Sequence, residues 1–167
     1  MHKNQKITLA VFVGFAIFAG LAWKARPTPN TQNAELPLVA DIGLKAEENN
    51  YDFGTISMAE GLVAHRFKIR NTSGTLLQIN RMSTSCMCTE ATLFLNDVKF
   101  GPMGMPGHKP LSKFKADIQS GKEAEIEVVF DPTAHGPAGI GRIERTVYLE
   151  SNGQTILELG IIAFVKP

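Results

Sequence analysis

The chain has 167 residues, 20% of them charged, a formal net charge of +1 and two cysteines. That length fits one domain with an appendage. The near-neutral balance, with no basic helix or aromatic-studded basic stripe, excludes nucleic acid as a partner.

The first element is apolar. A basic "HKNQK" leads into "ITLAVFVGFAIFAGLAW", Ile7 to Trp23, without a charge or a proline. At the helical rise this run reaches about 25 Å, near the lower limit for crossing a hydrocarbon core. Lys24 and Arg26 stop it, and Trp23 stands where an interfacial aromatic belongs. A cleaved signal peptide would have a shorter apolar core ending in a small-x-small site. The best candidate, Gly20-Leu21-Ala22, lies inside the run, and no cysteine follows for a lipid anchor. Residues 7–23 therefore read as an uncleaved transmembrane signal-anchor helix, with residues 1–6 cytoplasmic. Lys3, Lys6 and the terminal amine precede the span, and beyond Arg26 no basic residue occurs until Lys45. The positive-inside rule then gives a single-pass inner-membrane protein with its domain on the periplasmic, extracytoplasmic side. There the two cysteines face an oxidising compartment.

Residues 24–50 read as a linker, with "LPLVADIG" available as an edge strand; if flexible, it reaches about 30 Å. From Tyr51 onward the pattern has period two. Val63, His65, Phe67 and Ile69 alternate with Ala64, Arg66, Lys68 and Arg70. "NTSG" is a turn before "TLLQINRM". In "KEAEIEVVF", Ala124, Ile126, Val128 and Phe130 share a face. After the loop "DPTAHGPAGIG", Ile143, Arg145, Val147 and Leu149 share another. Asn152-Gly153 marks a two-residue hairpin turn before "QTILELGIIAFV", because both residues tolerate positive φ. About seven short strands and no long amphipathic helix after Trp23 predict an all-β, immunoglobulin-like sandwich over residues 51–167.

"YDFGTISMAEGLVAHRFKIRNTSGTLLQINRMSTSCMCTEA" resembles the opening of the bacterial domain-of-unknown-function family 1573. Its most specific pieces are Asp52-Phe53-Gly54 and Ser85-Cys86-x-Cys88-Thr89, and the resemblance extends from Tyr51 to about Val165. It implies an exported immunoglobulin-like sandwich similar to Hydin-type modules, and no established activity. Two departures stand out. Met87 lies where the family usually has glycine, and residues near 96–118, around "GPMGMPGHKP", look like an insertion.

The cysteines raise the chemical question. In an extended strand Cys86 and Cys88 share a face, but with their Cα atoms about 6.5–7 Å apart a disulfide is strained. The bland reading packs them as small hydrophobes. The sharper one is soft-metal coordination. Met82 and Met87 flank the pair, and Met103, Met105 and His108 lie in "MGMPGH". Four of the six methionines fall between residues 82 and 105. Cys, Met and His together suit Cu(I) better than zinc, provided that the insertion folds back over the cysteines. His65 reads as a hydrogen-bonded core or rim residue, and His135 as a loop-bracing one. No nucleophile elbow, P-loop, zinc-protease helix or C-x-x-C redox motif occurs, so the expectation is not an enzyme. Three functions follow from the sequence. One is a membrane-anchored module binding an envelope or membrane-complex protein through the insertion loop; the alternative is a Cu(I)-handling protein; the third is a redox-active dithiol.

Overall fold

The computed structural model describes residues 43–108 and 113–167. The stretches read from the sequence as a cytoplasmic N-terminus (1–6), an anchor (7–23) and the linker up to residue 42 lie outside them. No helix among the described residues is long and apolar enough to cross a membrane.

Eleven strands make up the described chain: β1 (Leu44–Ala46), β2 (Asn50–Ser57), β3 (Val63–Asn71), β4 (Leu77–Ile79), β5 (Arg81–Thr84), β6 (Thr89–Leu95), β7 (Val98–Met103), β8 (Ala116–Ile118), β9 (Glu123–Phe130), β10 (Gly141–Ser151) and β11 (Gln154–Lys166). One sheet has the order β1-β3-β9-β6-β7, a second β2-β11-β10-β5, and β4 pairs with β8. All pairs are antiparallel except β2 with β11. Inward residues of the two large sheets, among them Phe67, Ile126 and Val128 from one and Val147, Leu159 and Ile161 from the other, form one buried cluster. The fold is an all-β sandwich.

Alternation works as predicted in β9, where Ala124, Ile126, Val128 and Phe130 are buried and the intervening residues are not. On the outer face Arg66 pairs with Glu125 at 3.2 Å and Glu127 at 2.9 Å. These cross-strand pairs are solvent-exposed and add little stability. Asn71 is fully buried at the end of β3. Its Nδ2 donates to Thr75 O and Ile118 O, both at 2.7 Å, and its Oδ1 accepts from Ser73 N at 2.9 Å. A buried amide satisfied on both sides pins the "NTSG" turn to β8. Asn152 and Gly153 have φ of 50° and 80° and join Ser151 directly to Gln154, the hairpin expected of them.

The strand count is corrected from about seven to eleven. "TLLQINRM", read as one strand, breaks at Asn80, whose N–H donates to Glu150 O at 3.1 Å. Its halves join different partners, β4 with β8 and β5 with β10. The other additions are short: β1 and β8 have three residues each, too few for alternation to register. β1 and the start of β2 occupy residues assigned to the linker, and the insertion near 96–118 carries β7 and β8.

Because β5 belongs to one large sheet and β6 to the other, residues 85–88 must carry the chain across a corner of the sandwich. Both cysteines lie there.

Candidate metal centre

A turn, not an extended strand, sets the thiol spacing. The Thr89 N–H donates to Cys86 O at 3.2 Å, closing a turn over Cys86-Met87-Cys88-Thr89. Beneath it the buried Thr84 hydroxyl lies 2.9 Å from Cys86 O and 3.0 Å from Thr89 O, one proton serving both carbonyls. Ser85 N donates to Thr146 O and Thr146 N donates back to Ser85 Oγ, each at 2.9 Å, tying the corner to β10. Asp131 N donates to Cys88 O at 2.9 Å, tying it to the loop after β9.

That loop is "DPTAHGPAG". Asp131 Oδ1 accepts the N–H of Thr133 at 2.8 Å and its hydroxyl at 2.7 Å, a local turn that directs the next residues back toward the corner. Gly136 takes a φ of 53° and its N–H donates to Thr133 O at 2.8 Å. His135 is held between these two turns, exposed to solvent, with its Nε2 3.1 Å from Cys86 Sγ.

The result is a three-donor cluster. Cys86 Sγ, Cys88 Sγ and a ring nitrogen of His135 all lie within 4.8 Å of one another. Both cysteines are free thiols, only 9% and 3% exposed. Cys88 N–H donates to Cys86 Sγ at 3.4 Å, and Arg145 Nε donates to Cys88 Sγ at 3.3 Å. Burial pushes the Cys86 thiol up, but hydrogen bonds from Cys88 and His135 and the charge of Arg145 outweigh it and bring the pKa down to about 7. Cys88 moves the other way, because burial and its Cys86 neighbour exceed the help from Arg145 and Thr89. Cys86 is therefore the first of the pair to ionise. For Arg145, burial works against the charge, yet the two sulfurs raise its pKa, so the guanidinium stays protonated.

Of the residues singled out in the sequence, Cys86 and Cys88 form the cluster and His108 is outside it. Met82 and Met103 sit in the buried core, 2% and 7% exposed, and Met87 stands 48% exposed at the apex of the turn. Met105 is half-buried and His108 exposed. Within the insertion Gly104 O accepts from Thr84 N at 3.3 Å, a contact with β5 two residues before Cys86, and the histidine beside the thiols is His135. It lies 49 residues from Cys86 in a loop without periodicity, so no local pattern pointed to it. Arg145 did leave a signal, as a charged residue in the apolar register of β10. His65 is the rim residue expected, with Nε2 2.8 Å from Glu48 Oε1 and its ring stacked on Tyr51 at 3.6 Å.

No curated protein matches the chain. Among solved structures, a protein of unknown function from Porphyromonas gingivalis W83 is 14% identical with a TM-score of 0.52, covering 72% of this chain and 46% of its own. The chain thus spans less than half the length of that protein, and the likeness shows the fold alone. The ASH / PapD-like domain 7 of human CEP192 is 12% identical at a TM-score of 0.43, covering 75% of this chain and 86% of its own. The YadV chaperone is 6% identical at 0.45, covering 75% and 53%. The resemblance to family 1573 is shown by sequence over the first half of the sandwich, short of the later strands, His135 and Arg145: residues 44–104, both cysteines included, match the family described as protein of unknown function, DUF1573.

Proposed function

We propose that this domain binds Cu(I) through Cys86, Cys88 and His135, and holds or passes the ion at the outer side of a membrane. The observation that carries the reading is the convergence of the three donor atoms within 4.8 Å. Two thiolates and an imidazole form a soft set suited to Cu(I). A structural zinc site takes four protein ligands, and the cluster offers three. Buried thiols under an exposed imidazole leave one solvent-facing side for the ion to enter.

Protein docking fits beside this role. A groove next to the cluster is lined by Leu62, Met87, Cys88, Glu90, Val129 and Asp131, with Leu62 65% exposed. A mixed rim, Leu62, Met87 and Val129 beside the carboxylates of Glu90 and Asp131, suits a protein that delivers or receives the ion. The insertion loop is a weaker docking candidate, since Met103 is buried and Phe100 packs against Phe114 at 5.3 Å. In this reading an immunoglobulin-like sandwich hangs from an anchor at residues 7–23 on the periplasmic side, where an envelope or membrane-complex protein is its partner.

The test is an anaerobic titration of the reduced full chain with Cu(I) against a chromogenic chelator. One ion should bind per chain, and His135→Ala should weaken binding by more than about tenfold, beyond the lower end of what loss of an outer-shell partner does. Protons compete for both thiols, so affinity should fall with pH across the whole neutral range, where Cys88 must give up its proton, and more steeply below about 7, where Cys86 is reprotonated as well. Absence of uptake, or binding unchanged in His135→Ala, contradicts the proposal.

A further inference from the structure

Arg145 occupies a position that alternation in β10 gives to apolar side chains. Ile143 and Val147, two residues to either side, are 6% and 1% exposed. A half-buried guanidinium there is unfavourable unless something offsets its charge. Its Nε donates to Cys88 Sγ at 3.3 Å and its Nη1 to Glu144 O at 2.8 Å. No carboxylate pairs with it among the described residues, so the charge facing it is that of the sulfur pair.

Among the donors and the guanidinium that touches them, two thiolates, one guanidinium and a monovalent cation sum to zero; the Glu90 and Asp131 carboxylates line the groove beside Cys88 and do not pair with Arg145. With a divalent cation the same groups keep one positive charge, against thiols that are only 9% and 3% exposed. Residual charge in such surroundings is penalised far more than in water. The hydrogen bond also orients Cys88 Sγ, as outer-shell partners of metal ligands do.

We infer that Arg145 sets the valence preference of the cluster, favouring a soft monovalent cation, Cu(I) or Ag(I), over divalent Zn(II). The inference rests on the reading that Cys86, Cys88 and His135 hold a metal. It assigns Arg145 a specificity role through Cys88, without contact with the ion.

The experiment measures Cu(I), Ag(I) and Zn(II) affinities of the full chain, Arg145→Gln and Arg145→Lys by chelator competition, anaerobically. The glutamine variant keeps much of the side chain's bulk, loses the charge and brings no soft donor; the lysine variant keeps the charge. In Arg145→Gln, Cu(I) and Ag(I) binding should weaken by about 10–100-fold, while Zn(II) binding holds or tightens. Arg145→Lys should retain most of the monovalent preference, and it carries the comparison if the glutamine variant fails to fold. An equal loss for all three ions in Arg145→Gln makes Arg145 a structural support only and overturns the inference, as does a Cu(I)-to-Zn(II) ratio unchanged without the charge. Failure of the parent chain to bind either Cu(I) or Ag(I) is a different result, which removes the metal reading itself and the inference with it.

Discussion

The double substitution Cys86→Ser/Cys88→Ser should abolish Cu(I) uptake while leaving the sandwich folded. Both effects follow from the corner between β5 and β6. Serine replaces a soft, ionisable sulfur by a hard hydroxyl that does not form an anion near neutral pH, so two of three donors lose their affinity for a soft cation. Each single change should already exceed the about 10–100-fold loss typical of an outer-shell partner. The fold tolerates the exchange because the corner is held mainly by backbone groups. Thr89 N to Cys86 O, Asp131 N to Cys88 O and the Thr84 hydroxyl are all untouched. Serine also offers Arg145 an acceptor, so the stability loss should stay near about 1 kcal/mol per site. Chelator competition with circular dichroism on the same samples checks both halves. Retained tight binding in the double variant would move the site elsewhere.

The opposite dissociation is expected from Phe67→Ala. Phe67 is fully buried in β3, opposite Ile126 of β9, with His65 edge-on at 4.7 Å. Truncating a buried phenylalanine removes its transfer free energy and leaves a cavity that the sheets do not fully close, a loss of about 3–5 kcal/mol. For a domain of this size that is a large share of the total stability, read as a lowered midpoint in denaturant unfolding. The folded fraction should still bind one Cu(I) per chain, since Phe67 is not part of the donor cluster. A stability loss below about 1 kcal/mol would mean that Phe67 does not lie in the core.

Legibility in the sequence followed length and locality. β9, β10 and β11 are long and bounded by turn residues; period two places β9 and most of β10, and the Asn152-Gly153 turn places the start of β11, where Leu159, Gly160 and Ile161 are buried in succession. β1, β4 and β8 have three residues each and exist because a neighbour offers an edge to pair with, which is a tertiary fact. The cysteines were legible as a pair, because their spacing and residue type are local. Their geometry was not. Treating them as extended gave a wide separation, whereas the change of sheet at residues 85–88 forces a turn and brings the sulfurs together. The third donor depended on topology alone: β9 runs beside β6, so the loop leaving β9 arrives at the corner that enters β6, and His135 comes with it. The methionine cluster drew attention to residues 103–108 by composition, but Met103 is spent on packing. Arg145 stood unremarked on the apolar face of β10, and the reason for its place there appears only once Cys88 lies across from it.

X-ray absorption at the copper edge, on the reduced full chain loaded with one equivalent of Cu(I), tests the ligand assignment most directly. The prediction is a first shell of two sulfurs and one imidazole nitrogen, with the nitrogen lost in His135→Ala. A sulfur-only shell, or a nitrogen that persists without His135, would contradict a centre built from Cys86, Cys88 and His135.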